Sequence, residues 1–427
     1  MDFVPLMVYF AKMFFYWNIF IIFAEKFQLM DILKRRFKTL LSEVNVHIFR
    51  PLYHSIDWAQ PLIGIKGQRG VGKTTLMLQR IKETDPRGEN SFYVSLDNLW
   101  FADHNLIEMA EILVADGVTN LYLDEVHRMP GWERQIKNLY DLYPELHVVF
   151  TSSSLLVIDH SIGDLSRRVS MYILPGLSFR EFLTFEGIDS PLDKLSLSDI
   201  LYSHETIAPS VAAKIDVISL FNQYMKKGYY PFYKSMNLGD YYGRLERMVS
   251  TVIDFDIPAV ESRIDYETLL KAKRLVSIIS GSLPYIPNMV TLAGLMGTNR
   301  AQLLKLFDLL NRAGVIREIF AEANSPKSLA KPQKVLLNNS SLMSALDSPK
   351  TGAEREATFA SLLSVDHEVN FAKNGDFIVD GRYLFEVGGK GKGFAQIRNI
   401  PDSFVVADEI EFGFGNKIPL WIFGFLY

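Results

Sequence analysis

Short apolar runs alternate with segments of helical periodicity through the first half of the chain. Residues 61–66 form an apolar run that predicts a buried strand, and residues 76–82, beyond a glycine-rich loop, have the apolar spacing of a helix. Further apolar runs predict strands over residues 91–95, 120–126, 147–151 and 169–174. Because strands that alternate with helices usually pair in parallel, the pattern predicts an α/β fold with a doubly wound parallel sheet.

The pattern changes beyond residue 190. Residues 191–260 mix helix and turn, as in a helical lid or connector. Residues 261–346 predict three helices, over 271–280, 289–296 and 299–312, and then two strands, over 315–320 and 334–337, an order typical of a winged-helix domain. Residues 347–427 predict a small α+β domain, with a helix over 354–362, strands over 375–379 and 383–387, and a buried final strand over 419–427.

Residues 1–29 form a hydrophobic N-terminal extension. Residues 3–24 are apolar apart from Lys12 and Asn18, and their number is about what a helix needs to cross a bilayer. A lysine in mid-span costs ~3 kcal/mol on insertion, and Met30 offers a second start before an ordinary amphipathic segment. We therefore expect a misassigned start or a dispensable extension and a cytoplasmic protein, with a membrane anchor as the alternative.

The composition of the chain excludes several kinds of catalytic and metal site. Of the 427 residues 48% are hydrophobic and 22% charged, which is the balance of a folded globular protein. The net charge of -4 gives no general attraction to polyanions, so contact with nucleic acid would need a local basic patch. The chain has no cysteine, which excludes disulfides, thiolate zinc sites and cysteine nucleophiles, and its histidines are scattered. Magnesium held by oxygen atoms is the one metal that we expect.

The glycine-rich loop after the first strand carries the clearest chemistry. It has the pattern Gly-x-x-x-x-Gly-Lys-[Ser/Thr] between a strand and a helix, which is the setting of a phosphate-binding P-loop. The glycines let backbone amides approach phosphate at a helix N-terminus, Lys73 supplies a cation for the outer phosphates, and Thr74 supplies a hydroxyl for magnesium. The sequence therefore predicts a P-loop ATPase core over residues 30–190, with ATP bound by Gly67, Gln68, Arg69, Gly70, Val71, Gly72, Lys73, Thr74 and Thr75.

A P-loop site also needs acidic side chains at the end of a neighbouring strand. The next apolar strand to end in acid is the one that closes with Asp124 and Glu125. We expect Asp124 to hold the magnesium through water and Glu125 to polarise the attacking water, as a base within reach of the terminal phosphate must.

Two polar groups beyond the acidic strand are further candidates. The strand over 147–151 leads into serines, and Ser152 or Ser153 could sense the terminal phosphate or the attacking water from a position between the two other site strands. Capping of the next helix is the alternative for these serines. Arg167 and Arg168 precede the fifth strand, and Arg168 is our candidate for neutralising charge in the transition state, in its own site or in that of a neighbouring copy. Surface solvation is the alternative for both arginines.

These residues resemble bacterial and archaeal AAA-type ATPases that carry a C-terminal domain of unknown function. The matching stretches are 67–75, 121–125, 151–154, 165–168 and 174–182, and Gly-Tyr-Tyr-Pro-Phe at 228–232 looks like the glycine-proline turn after that family's ATPase lid. The resemblance spans Met30 to the C-terminus and implies an ATP-binding P-loop fold. One departure is Thr-Ser-Ser at 151–153, where relatives often carry Thr-Gly-Ser.

The third predicted helix of the winged-helix segment has two distinct faces. Leu303, Phe307 and Leu310 share an apolar face. The outward polar residues are Arg300, Gln302, Lys305 and Arg312. They could meet the phosphates or bases of DNA, but Asp308 lies among them, and we expect a packing module, with DNA binding as the alternative.

The C-terminal domain contains a second acidic set. Glu356, Asp376 and Glu386 resemble the acidic residues of the restriction-endonuclease-like fold, in which carboxylates bind magnesium beside a lysine. That lysine should stand two positions after Glu386, where this chain has Gly388, and Lys390 is offset. We therefore expect a degenerate domain with a scaffold or recognition role, and an active nuclease is the alternative.

The combined signals predict an ATP-binding and ATP-hydrolysing switch that acts on a nucleic acid or a protein partner. The alternatives are an ATP-gated DNA-binding or nuclease module and an ATP-bound scaffold without turnover. The paired arginines also fit a homo-oligomer, and a membrane partner is not expected.

Overall fold

The computed structural model describes residues 30–152, 165, 167–261, 263–322, 331–346 and 351–427. Contacts divide the chain into two compact units. The first contains the described residues 30–65, 74–152, 165 and 167–172, and the second contains 66–73 and the described residues from 173 onward.

A five-stranded sheet contains the strands of the first half of the chain. Its strands are β1 (Leu62–Lys66), β2 (Ser91–Ser95), β3 (Asn120–Asp124), β4 (His147–Ser152) and β5 (Ser170–Ile173), in the order β2-β3-β4-β1-β5. The pairs β2–β3 and β3–β4 are parallel. The order confirms the expected P-loop sheet, and it places β4 between β1 and β3, as predicted. Strands β1 to β4 are buried at most positions and are rich in apolar residues, as in a sheet that is covered on both faces, whereas β5 is more exposed.

Helices flank these strands in the first unit. They are α1 (residues 30–43), α2 (Pro51–Ser55), α3 (Lys73–Thr84), α4 (Leu106–Ala115) and α5 (Trp132–Leu142). The start of α4 shows how sequence fixes a helix boundary, since the Asn105 side chain accepts hydrogen bonds from the amides of Ile107 and Glu108. Such a cap stabilises a helix by about 1 kcal/mol.

The second unit begins with a helical region. Its α-helices up to residue 260 are α6 (Phe179–Phe185), α7 (Leu197–Ala212), α8 (Val217–Gln223), α9 (Leu238–Thr251) and α10 (Ile257–Val260). Capping boxes begin α6 at Ser178 and α7 at Ser196, where each serine and an acidic residue three positions later exchange hydrogen bonds with the backbone. This region has the helical character that the sequence predicted.

Three helices and a two-stranded sheet follow. They are α11 (Tyr266–Ser280), α12 (Met289–Met296), α13 (Arg300–Arg312), β6 (Ile316–Ile319) and β7 (Lys334–Leu337), with β6 and β7 antiparallel. Leu303, Phe307 and Leu310 of α13 are fully buried, as their shared face predicted. Gly314 has a φ of 73°, and this left-handed residue turns the chain from α13 into β6.

The C-terminal segment contains α14 (Ser340–Leu346), α15 (Thr351–Leu363) and a second sheet. Its strands are β8 (Val369–Phe371), β9 (Phe377–Val379), β10 (Tyr383–Gly388), β11 (Ser403–Ala407) and β12 (Lys417–Pro419), in the order β12-β11-β10-β9-β8. The predicted pair β9–β10 is antiparallel about Asp380 and Gly381, both with positive φ.

The predicted burial of residues 419–427 is confirmed, but the predicted strand is wrong. The run is buried, but residues Leu420–Phe425 form a short 3-10 helix beyond β12. Gly424 approaches α6 so closely that a Cβ there would lie 2.3 Å from Cβ of Phe179. A run that is apolar at every position has no periodicity to separate helix from strand, so packing decided its conformation.

Where the structure describes the chain, its helices lack the combined length and apolar character that crossing a membrane requires. The predicted hydrophobic segment 3–24 lies outside the described residues.

A half-buried carboxyl on β6 makes the stability of the protein depend on pH. Burial, followed by the charge of Asp308, raises the pKa of Glu318 to about 7. The folded protein therefore keeps this proton to a higher pH than the unfolded chain, so stability falls as the pH rises from about 4.5 to about 7.

We expect Glu318→Gln to remove most of this fall, on the order of 2 kcal/mol. Urea unfolding of both proteins at pH 5 and pH 8 measures it. An equal loss of stability in the variant and the wild type between these pH values would contradict the assignment of the titration to Glu318.

Candidate functional site

The glycine-rich loop folds around the Lys73 ammonium. Lys73 is 5% exposed, and its Nζ donates hydrogen bonds to the carbonyl oxygens of Gly67 at 2.8 Å and Gln68 at 2.9 Å. Gly70 and Gly72 have φ values of 85° and 103°, which residues with a Cβ rarely adopt. A Cβ on Gly70 would also lie 2.8 Å from the Phe232 ring. The glycines are therefore required by the backbone path of the loop.

Other loop side chains lie in different surroundings. Val71 is fully buried, and Thr75, next to Thr74 at the start of α3, is exposed. The side chain of Gln68 bonds to Asn338 and Tyr230, and Arg69 pairs with Asp256 at 3.4 Å. The predicted ATP-binding residues thus include side chains that make contacts within the second unit.

Asp124, at the end of β3, is surrounded by three hydroxyl groups. Thr74 donates to its Oδ2 at 2.5 Å, Tyr93 donates to the same oxygen at 2.9 Å, and Thr151 donates to Oδ1. Burial, followed by the Asp124 carboxylate, raises the pKa of the Tyr93 hydroxyl, which keeps it protonated and donating. The structure thus brings together Thr74 and Asp124, the two residues predicted to hold magnesium. A hydroxyl and a carboxylate oxygen are ligands that suit this hard cation.

Tyr93 and Thr151 were missed by the sequence reasoning. Tyr93 lies on β2, which runs beside β3, and Thr151 lies on β4 on the other side. Both flank Asp124 because parallel strands end at the same edge of the sheet. The position of Thr151 at the polar end of β4 is a signal in the sequence, but the prediction names Ser152 and Ser153 at that end.

Glu125 has a left-handed backbone with a φ of 56° and contacts a buried histidine. Its Oε2 lies 3.5 Å from Nε2 of His127, and Nδ1 of His127 shares a hydrogen bond of 3.1 Å with the Ser152 hydroxyl. A short 3-10 helix, Val126–Arg128, turns the chain so that His127 lies beside Glu125. The structure therefore adds His127 to the predicted residues, and its position two residues after Glu125 was the available signal.

Ser152, Arg167 and Arg168 are the other predicted candidates, and the structure shows what surrounds each of them. Ser152 is fully buried and shares a hydrogen bond with His127, which in turn lies beside Glu125. Ser153 lies outside the described residues. Arg168 pairs with Asp141 at 3.5 Å and lies over the Tyr140 ring, while Arg167 is exposed.

The location of Arg168 bears on the choice, left open by the sequence, between the site of its own chain and that of a neighbouring copy. Asp141 lies near the end of α5, which starts after Asp124 and runs to the beginning of β4. A helix of this length, 11 residues, spans about 16 Å. Arg168 is therefore at the opposite edge of the sheet from Asp124 and Thr74.

The outward face of α13 is largely paired inside the chain. Lys305 pairs with Glu261 at 2.6 Å, Arg312 pairs with Asp308, and the Gln302 side chain donates to Thr268. Pairing with carboxylates removes much of the positive charge that phosphate contacts would need.

The second acidic set holds lysines rather than an open cluster. Nζ of Lys334, on β7, lies 2.7 Å from Glu356 and 3.1 Å from Asp376, and Lys392 pairs with the buried Glu386. Burial is the largest cause of the raised pKa values of Glu356 and Glu386. In the part of the chain that is described, no three acidic or histidine side chains are arranged to hold a metal ion.

The predicted lysine of this set, Lys390, is corrected to Lys392. Lys390 is exposed, and the amide of Lys392 donates to the Gly389 carbonyl at 2.9 Å. This turn brings Lys392 back over β10 to Glu386. The glycines around it allow a loop that spacing in the sequence could not specify.

One protein-family model matches the part of the chain that contains the P-loop and the acidic strand end. Residues 59–183 match a family model described as AAA domain. An uncharacterized protein of Methanocaldococcus jannaschii is 27% identical over 292 residues, which cover 64% of this chain and 60% of that protein. A second uncharacterized protein of this organism is 24% identical over 171 residues, covering 39% of this chain and 35% of that protein. The chain thus matches about 60% and about 35% of the lengths of these relatives.

Solved structures also match, at low scores. AMPPCP-bound DnaA from Aquifex aeolicus is 17% identical with a TM-score of 0.25, covering 59% of this chain and 81% of that chain. A structure describing katanin self-assembly is 15% identical with a TM-score of 0.26, covering 49% of this chain and 62% of that chain. The assignment to a P-loop fold rests on the match of residues 59–183 to the AAA domain model and on the order of the five strands.

Proposed function

Since residues 59–183 match the AAA domain model and contain the P-loop, we propose that this chain binds ATP with magnesium and hydrolyses it as a nucleotide-dependent switch. The observation that carries the proposal is the hydrogen bond of 2.5 Å between Thr74 and Asp124. It joins the first turn of the P-loop helix to the acidic strand end, so that a hydroxyl and a carboxylate, the two kinds of protein group that serve the magnesium of ATP in P-loop sites, lie side by side.

Each residue has a distinct part in the proposed reaction. Lys73 would bind the outer phosphates, and Thr74 and Asp124, the latter through water, would hold the magnesium, whose charge would offset that of the phosphates. Tyr93 and Thr151 orient the Asp124 carboxylate through their hydroxyls.

Glu125 is the proposed base that orients the attacking water and accepts its proton. The strained backbone at Glu125, with a φ of 56°, fixes the direction of its side chain. His127 positions the carboxylate, and Ser152 positions the imidazole in turn. Arg168, paired with Asp141 at the other sheet edge, would serve only a neighbouring copy in a homo-oligomer.

The remaining segments are proposed to carry the nucleotide state to a partner. The lid or connector over 191–260 leads to a winged-helix domain over 261–346 and to an endonuclease-like domain over 347–427. A protein partner is favoured over DNA at α13 because Lys305 and Arg312 are paired with carboxylates. The salt bridges of Lys334 favour a degenerate C-terminal domain over an active nuclease.

Release of phosphate from ATP tests the proposal. We expect protein starting at Met30 to release phosphate with magnesium and to stop when EDTA removes the metal. Adding single- or double-stranded DNA at low salt, where phosphate contacts are strongest, tests the DNA alternative in the same assay. Absence of magnesium-dependent release with and without DNA would contradict the hydrolase, and tight ATP binding without turnover would instead support a scaffold.

A further inference from the structure

The phosphate-binding loop has two side chains that the P-loop pattern leaves unassigned. Gln68 and Arg69 occupy variable positions between the first glycine and Gly72-Lys73. Both side chains turn away from Lys73 toward distant segments of the second unit. Gln68 contacts residues around 230 and 338, and Arg69 pairs with the buried Asp256.

The contacts of Gln68 form a continuous polar chain. Its Nε2 donates to Oδ1 of Asn338 at 2.7 Å, and its Oε1 accepts from the Tyr230 hydroxyl at 3.2 Å. The Tyr230 hydroxyl accepts in turn from Nδ2 of Asn339 at 3.1 Å. Tyr230 and Asn339 are both 1% exposed, so water cannot readily replace these hydrogen bonds.

The series of hydrogen bonds that starts at Gln68 ends at the first turn of a helix. Oδ1 of Asn339 accepts a hydrogen bond from the amide of Leu342 at 3.0 Å, in the first turn of α14. Asn338 follows β7 directly, and its amide donates to the carbonyl of Val315. The orientation of Gln68 is thus coupled to the junction between β7 and α14.

Gln68 has little freedom to leave this arrangement. A Cβ on Gly314 would lie 2.6 Å from Nε2 of Gln68, so only glycine leaves room for the amide there. The backbone carbonyl of Gln68 also accepts from Nζ of Lys73. When Lys73 takes phosphate oxygens as partners, the Gln68 carbonyl loses part of this hydrogen bond. Gln68 therefore contacts the phosphate-binding lysine through its backbone and Asn338 through its side chain.

We propose that Gln68 is a positioning residue that couples nucleotide binding at the loop to the β7–α14 junction through Asn338, Tyr230 and Asn339. The inference rests on the proposed function, since it needs ATP in the loop. Coupling is reciprocal, so a junction that holds Gln68 raises the affinity for ATP, and ATP stabilises the junction.

Gln68→Met tests this coupling, because methionine keeps the length of the side chain but removes its donor and acceptor. We expect the Kd for MgATP to rise at least about fivefold, the lower range of measured couplings. Gln302→Met is the matched control, since Gln302 also donates one side-chain hydrogen bond and accepts another, on α13. It should leave the Kd unchanged.

Hydrogen exchange separates coupling from a merely structural effect. At saturating MgATP we expect the amides of residues 338–346 to exchange more slowly in the wild type and in Gln302→Met. In Gln68→Met the slowing should disappear, and in Tyr230→Phe, which removes only the bridging hydroxyl, it should be reduced. Asn338→Ala combined with Gln68→Met should raise the Kd no further than Gln68→Met alone.

Two results would overturn the coupling. One is wild-type protein that binds MgATP without any change of exchange in residues 338–346. The other is Gln68→Met that retains both the wild-type Kd and the wild-type slowing. Failure of the wild type to bind MgATP at all would instead contradict the proposed function.

Discussion

Lys73→Ala is expected to lower ATP turnover by a factor on the order of 10²–10³, the effect of removing one preorganised group that stabilises developing charge. The ammonium is buried inside the loop and is held by two backbone carbonyls, so no other lysine can take its place. Affinity for ATP should fall as well, because Lys73 contacts the phosphates before and during the reaction. Phosphate release and binding of a fluorescent ATP analogue measure the two effects.

Lys82→Ala is the matched control, since Lys82 lies in the last turn of the same helix, α3, away from the loop. Its turnover should equal that of the wild type. Equal turnover by Lys73→Ala and Lys82→Ala would show that the measured activity comes from another site or from a contaminant.

Glu125→Gln is expected to lower turnover by about 10²–10⁴, the contribution of a positioned general base, while ATP still binds. Glutamine keeps the size of the side chain and a polar group beside Nε2 of His127, but it accepts a proton poorly. The separation of binding from turnover distinguishes this variant from Lys73→Ala, which should lose both.

Glu133→Gln, at the start of α5, is the control that removes one carboxylate nearby in the sequence. It should leave turnover unchanged. Retention of wild-type turnover by Glu125→Gln would exclude Glu125 as the base and would leave the base to another group.

The sheet and the loop could be predicted because their signals are local. A P-loop pattern specifies a strand, a turn and a helix within a few residues, and the acidic strand end at Asp124 is an apolar run that closes in carboxylates. Parallel pairing then brings Asp124 to Thr74 without any further information from the sequence. The strand order and the contact of 2.5 Å agree with that geometry.

Contacts that depend on pairing or on loop path could not be predicted. Tyr93 and Thr151 reach Asp124 from two other strands, and His127 reaches Glu125 through a 3-10 turn. Lys392 replaces Lys390 at Glu386 because a glycine-rich turn reverses the chain. The link from Gln68 to Asn338 spans 270 positions, which no local pattern records.

The affinity for ATP with and without magnesium, in the wild type and in Asp124→Asn, tests the central claim most directly. The account predicts that magnesium tightens ATP binding to the wild type and that this gain is lost in Asp124→Asn, because the amide holds the cation less well than a carboxylate. An equal gain from magnesium in both proteins, or no ATP binding by the wild type, would contradict it.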